Sequence, residues 1–164
     1  PISIAMSKIA PARLAGNTVV LKPSPNTPLA TLALGEVLNS VLPPGVLNVV
    51  SGGNELGGQL TSHPLVKKIS FTGSIATGKE VAQSAASDLK RVTLELGGND
   101  PAIVLPDANV EALAARLYWS TFFNCGQICL AVKRIYVAEK LLEPLTEALQ
   151  YPPRGAPARK RWWW

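Results

Sequence analysis

Two residues in this sequence form a chemically meaningful pair. Cys129 closes the stretch Phe123-Asn124-Cys125-Gly126-Gln127-Ile128-Cys129, and Glu95 stands 34 positions upstream in Leu94-Glu95-Leu96-Gly97-Gly98. A cysteine thiolate adds readily to a carbonyl carbon, and on an aldehyde the resulting thiohemiacetal can expel hydride to leave a thioester. Water must then attack the thioester. A carboxylate buried in an apolar strand end, where desolvation makes it a stronger base, is suited to take that water's proton, and this is the setting expected for Glu95. Each residue also has an ordinary reading: a free cysteine in an apolar stretch packs as a small core side chain, and a strand glutamate faces water. Cys125 and Cys129, spaced by four, could hold a metal or form a redox pair, but His63 is the only histidine. Its neighbour Pro64 marks a surface turn, so no metal site is expected.

A second group of residues suits a phosphate-bearing ligand. In Phe71-Thr72-Gly73-Ser74-Ile75-Ala76-Thr77-Gly78 a strand pattern gives way to a helix pattern. Gly73 lets the backbone approach a phosphate closely, Ser74 adds a hydroxyl, and a helix N-terminus offers N–H groups and a favourable dipole. An ordinary strand-to-helix turn with a serine cap has the same appearance, and the stretch is not the glycine fingerprint of standard dinucleotide folds. Lys22, followed by Pro23-Ser24-Pro25, ends the run Thr18–Leu21. A lysine at the carboxyl end of a parallel strand can reach a ribose hydroxyl or a phosphate, though most such lysines are simply solvated.

The elements that must position these residues alternate. Ile4, Met6, Ile9, Ala10 and Leu14 followed by Gly16 suit a helix closed by glycine, with Pro11 weakening the pattern. Strand signals at 18–21, 46–50, 68–71 and 92–96 are separated by helical spacing at 29–42, 56–61 and 75–89. Beyond Gly97-Gly98 come a strand at 102–105, a helix at 110–123, the cysteine loop, a strand at 134–137 and a helix from Leu141. Strands joined by helices imply an α/β fold, with a parallel sheet covered by helices on both faces. Gly97-Gly98 reads as a hinge, which divides the chain into 1–96, 97–149 and a final stretch 150–164. That stretch, QYPPRGAPARKRWWW, has no helix or strand period and is expected to be an unpacked tail.

Charge concentrates in the same tail. The net charge is +5, but Arg154, Arg159, Lys160 and Arg161 all lie there, and without them the basic count falls from 16 to 12 against 11 acidic residues. A near-neutral body lacks the excess a nucleic-acid surface needs, so no nucleic-acid partner is expected. No apolar run approaches the roughly 20 residues of a membrane helix, and no membrane partner is expected. The opening PISIAMSKIAPARLAG lacks the order of a signal peptide. With two cysteines in 164 residues, a disulfide framework is not indicated. The expected compartment is the reducing cytoplasm, or an organelle if a transit peptide precedes Pro1.

Taken together, the blocks AGNTVVLKPS at 15–24, PPGVLNVVSG at 43–52, FTGS at 71–74, LKRVTLELGG at 89–98 and FNCGQIC at 123–129 resemble the aldehyde dehydrogenase superfamily. The resemblance runs from Pro1 to about Leu149. It implies a Rossmann-like cofactor domain followed by the beginning of an α/β catalytic domain, and oxidation of an aldehyde to a carboxylic acid with NAD or NADP. It places Cys129 as nucleophile, Glu95 as general base, Gly73 and Ser74 at the pyrophosphate, Lys22 and Ser24 beside the adenosine ribose, and Leu96 at the junction of the two domains next to the cofactor. Intact members are expected to be homo-oligomers.

The chain departs from the family pattern in three ways. The oxyanion-hole asparagine belongs just upstream of the proline matched by Pro1, which leaves the backbone N–H of Cys129 as the remaining donor. The segment whose glutamate holds the nicotinamide ribose follows the region matched here. Pro25 stands where many NAD-preferring members carry a glutamate, so NAD and NADP are both left open. The expectation is a fragment that is inactive on its own, with a non-catalytic cofactor-binding or interaction module as the alternative.

Overall fold

A computed structural model of the chain describes residues 1–150. Residues 151–164, the bulk of the expected tail, lie outside the described residues; Gln150, counted with that tail, instead ends a helix. The chain falls into two compact units, one of Pro1–Thr72 with Ala76–Leu94, the other of Gly73–Ile75 with Glu95 onward.

The first unit opens with helix α1 (Ile2–Leu14), strand β1 (Val19–Leu21), helix α2 (Leu29–Asn39) and strand β2 (Leu47–Val49). Gly16 adopts a left-handed φ of 78°, and Gly16 N–H and Asn17 N–H donate to the carbonyls of Arg13 and Ala12. This double closure stops α1 and starts the turn into β1. Pro11 is accommodated inside the helix. β1 and β2 are parallel, with Val19 opposite Leu47 and Leu21 opposite Val49. Ala5, Ile9 and Leu47 form the buried centre, with Leu21, Leu34, Leu38 and Val49 packed on it. A Cβ at Gly35 would stand 2.5 Å from a Val49 methyl, so α2 lies on β2 at a distance only glycine permits.

Helix α3 (Asn54–Ser62), strand β3 (Lys68–Thr72), helix α4 (Ile75–Ala86) and strand β4 (Arg91–Glu95) follow. β3 and β4 are paired, and the bonds Arg91 N–H to Lys67 O and Gly73 N–H to Glu95 O at the two ends show that they run the same way. Between α4 and β4, Leu89 takes a φ of 51° and is 91% exposed, which turns the neighbouring Lys90 inward. The Lys90 ammonium donates to the carbonyls of Thr61 and His63, each at 2.8 Å, and lies 3.4 Å from the Asp88 carboxylate. It thereby satisfies the Thr61 carbonyl at the end of α3, joins Val66 N–H on the His63 carbonyl and complements that helix's negative pole.

The second unit is a strand–helix–strand–helix run: β5 (Asp100–Val104), α5 (Val110–Phe122), a tight turn (Phe123–Gly126), β6 (Val132–Val137) and α6 (Glu139–Gln150). β5 and β6 are parallel, with Ala102 opposite Ile135 and Val104 opposite Val137. Val104, Leu117 and Leu145 are its buried centre. The Asn109 side chain accepts from Ala112 N–H and caps α5.

The α/β class and the parallel pairing agree with the sequence. The single covered sheet does not: the described strands form three two-stranded sheets, β1–β2, β3–β4 and β5–β6. Short apolar runs identify strands, whereas their partners depend on distant contacts that the pattern does not carry. No helix among the described residues is long and apolar enough to cross a membrane.

Candidate active site

Glu95 is the last residue of β4, and its carbonyl accepts a 3.1 Å hydrogen bond from Gly73 N–H. That bond ties the Gly73-Ser74 turn, which opens α4, to the strand that carries the candidate base. Ser74 is exposed immediately ahead of the first helical residue, Ile75. Leu96 is half-buried. The Glu95 side chain, however, is exposed, so the apolar burial expected for it is corrected. The strand ends at that residue, and Gly97 and Gly98 just beyond it have no side chains with which to cover the carboxylate.

Glycine at position 98 has a different use. A Cβ there would lie 2.6 Å from the Cys129 carbonyl oxygen and 2.6 Å from the Asp100 carboxylate. Such separations are far inside contact distance, and the Cys129 oxygen belongs to backbone that cannot swing aside. The strap leaving β4 therefore passes backbone to backbone against the peptide of Cys129.

The loop that presents Cys129 is built from an unusual run of conformations. Asn124, Cys125 and Gly126 have φ of 51°, 57° and 72°, three consecutive left-handed residues after α5. For non-glycine residues this costs on the order of 1 kcal/mol each. Compensating bonds hold the turn: Gln127 N–H donates to Asn124 O at 3.1 Å, the Asn124 amide donates to Gln127 O at 3.2 Å, and the Lys133 ammonium donates to Gly126 O at 2.6 Å. Cys125 and Cys129 are both free and exposed.

In the first unit, Lys22 sits at the carboxyl ends of β1 and β2. Its half-buried side chain donates to the carbonyls of Pro23 and Gly52, each at 2.9 Å. Two of an ammonium's three N–H groups are used in this way. Ser24 is exposed in a turn where its hydroxyl accepts from Asn26 N–H at 3.3 Å. The second unit thus gathers Gly73, Ser74, Glu95, Leu96 and Cys129, and the first carries Lys22 and Ser24. No group of three or more His, Cys, Asp or Glu side chains placed to hold a metal occurs among the described residues.

Sequence reasoning passed over two residues. Gly98 was visible only as half of a glycine pair, and the pair gives no sign of a close approach to a residue 31 positions later. Lys133 carried no signal, because its partner is a backbone carbonyl in a loop whose left-handed course the sequence announces only through Asn124 and Gly126.

The Gly73-Ser74 turn is thus bonded to the strand end that carries Glu95, and that strand's exit lies against the loop that carries Cys129. The model of the aldehyde dehydrogenase family matches residues 1–154, and the chain belongs to that family. Aldehyde dehydrogenase LUC3 of a Fusarium species is 48% identical over 144 residues, covering 88% of this chain and 31% of the relative. The crystal structure of an NAD-dependent aldehyde dehydrogenase from Sinorhizobium meliloti superposes with a TM-score of 0.87 at 39% identity, covering 92% of this chain and 30% of that one. An Escherichia coli NADP-dependent enzyme superposes with a TM-score of 0.83 at 44% identity, covering 87% and 30%. The chain therefore spans a little under a third of the length of these relatives.

Proposed function

We propose that these residues supply the nucleophile and general base of an NAD(P)-dependent aldehyde dehydrogenase, which oxidises an aldehyde to a carboxylic acid through a thiohemiacetal and a thioester on Cys129. The observation that carries the reading is the contact of Gly98 with the Cys129 carbonyl. It brings the strap that follows Glu95 against the backbone of the cysteine, while Gly73 N–H holds the Glu95 carbonyl from the other side. In this reading Cys129 Sγ attacks the aldehyde carbon, and its backbone N–H faces the developing oxyanion. Glu95, exposed to water, takes the proton from the molecule that hydrolyses the thioester.

Taken one unit at a time, the residues present carry donors that suit parts of a dinucleotide. Ser74 and the N-terminus of α4 offer donors for a pyrophosphate, and Lys22, with two N–H groups on carbonyls, keeps donor capacity for a ribose hydroxyl alongside Ser24. When bound, NAD or NADP supplies the acceptor for the hydride lost by the thiohemiacetal. The relatives named above include an NAD-dependent and an NADP-dependent enzyme, and Pro25 places no carboxylate against a 2′-phosphate, so both forms are proposed. The acceptor's partner is a small-molecule aldehyde, and the compartment proposed is the cytoplasm, which suits two exposed free thiols.

In the full-length protein that carries these residues, for which we propose homo-oligomeric assembly, Cys129→Ala abolishes NAD(P)H formation from aldehydes; surviving activity sinks the assignment. The 164-residue chain alone is expected not to form NAD(P)H from aldehydes, since it spans less than a third of its relatives, although transfer of an acyl group to Cys129 needs no cofactor. Sustained NAD(P)H formation from a panel of simple aldehydes would overturn that part. A second reading, a cofactor-binding or interaction module without catalysis, draws on exposed apolar side chains such as Leu29 at 79% and Ile103 at 74%. It predicts cofactor binding that survives Cys129→Ala with no acyl transfer at any cysteine.

A further inference from the structure

Cys129 lies inside a loop closed by a single charged hydrogen bond. The Lys133 ammonium, on β6, reaches back seven residues to the Gly126 carbonyl at 2.6 Å. Cys129 stands near the middle of the enclosed segment. On the far side of the bond is the left-handed run Asn124, Cys125 and Gly126, two of whose members are L-residues in a conformation they adopt at a cost. Room for relaxation is limited there as well: a Cβ at Gly126 would stand 3.0 Å from the Thr121 carbonyl and 3.4 Å from the Lys133 Nζ itself. Besides the short-range bonds between Asn124 and Gln127, Phe123 N–H holds the start of the turn to Trp119 O of α5, and Lys133 ties its far end, Gly126, to β6. A strained turn held by few bonds keeps its shape only while those bonds persist.

We infer that Lys133 is a positioning residue: by holding Gly126 to β6 it fixes the turn that sets where Cys129 presents its thiol relative to the strap leaving Glu95. It touches no reacting atom in this account. The structure supports a purpose beyond solubility, since the ammonium is spent on a carbonyl and makes no ion pair among the described residues. This inference rests on the proposed role of Cys129.

The test uses the 164-residue chain with Cys125→Ser, which leaves Cys129 as its single thiol. p-Nitrophenyl acetate transfers an acetyl group to sulfur, releasing p-nitrophenolate, and water then cleaves the thioester to acetate; the two rates are followed across pH. Lys133→Met is expected to lower the plateau of both rates roughly tenfold, as misplacement of a reacting group does, while leaving the pH midpoint of acylation where it was. Lys133→Arg, which restores a charged donor, is expected to recover most of the loss. Should Lys133→Met fail to fold, Lys133→Gln, with a neutral donor, is expected to fall between the two.

Rates within twofold of the parent overturn the inference. So does a moved midpoint with an unchanged plateau, since the lysine would then act through its charge on the thiol. Amide hydrogen exchange separates this from the proposed function. If Cys129 is never acylated, the enzymatic reading fails, but Lys133→Met must still raise exchange across 124–129, and unchanged exchange there overturns the clamp itself.

Discussion

Among the lysines that hold backbone carbonyls, Lys90 and Lys133 have opposite surroundings. Lys90 has a side chain only 2% exposed and commits its ammonium to Thr61 O, His63 O and the Asp88 carboxylate. Lys133 is exposed and holds one carbonyl, that of Gly126. A buried ammonium has given up its hydration, so losing its partners, or leaving them without it, costs folding energy directly. An exposed one exchanges water for carbonyl at little net gain. The first kind of bond therefore supports the fold as a whole, and the second can only choose between local shapes. That is the division expected between a scaffold and a loop that presents a reactive group.

The comparison can be broken by substitution, and the largest effects belong to Lys90 and Gly98. Lys90→Met leaves the Thr61 carbonyl without its side-chain donor and the His63 carbonyl with Val66 N–H alone, and is expected to cost about 2 kcal/mol in urea unfolding; a loss near zero would show that water replaces the ammonium there. Next is Gly98→Ala, whose new methyl group meets the Cys129 carbonyl. It is expected to destabilise by about 2 kcal/mol, and to slow acylation of Cys129 because the strap must back away. A variant that melts and reacts like the parent would deny the close approach. Asn109→Ala removes the cap of α5, the helix that leads into the cysteine turn, at an expected cost of about 1 kcal/mol, read as a lower urea midpoint with an unchanged slope. Smallest for stability is Lys133→Met, for which no measurable shift in melting temperature is expected; a fall as large as that of Lys90→Met would place both lysines in the scaffold and erase the distinction.

Much of this was legible in the sequence because the elements are locally encoded. Every strand and helix expected from apolar spacing is present, and Gly16 closes α1 as its position suggested. Boundaries differ by a turn where helical spacing continues into a loop: α2 stops at Asn39 and α4 at Ala86, short of the apolar residues Leu42 and Leu89 that extended the patterns. Pairing of the strands into three separate ladders was not legible, since register and partner are long-range properties. For the candidate site, residue types and spacing pointed to Cys129, Glu95, Gly73, Ser74, Lys22 and Ser24 as chemistry, but not to their surroundings. Glu95 looked buried because its neighbours Leu94 and Leu96 are apolar, yet alternation along a strand sends adjacent side chains to opposite faces, and Glu95 faces water. Gly98 and Lys133 act on backbone atoms of residues distant in sequence, and no composition or period reports that kind of contact.

Under the proposed function Cys129, and not its likewise exposed neighbour Cys125, is the nucleophile served by Glu95. The most direct measurement is peptide mass spectrometry of the chain after brief exposure to p-nitrophenyl acetate, which delivers an acyl group without any cofactor. The account predicts an acetyl group on Cys129 that disappears with time, that persists in Glu95→Gln, and that is absent from Cys125. Equal labelling of both cysteines, or a label on Cys129 whose lifetime ignores Glu95→Gln, would contradict it.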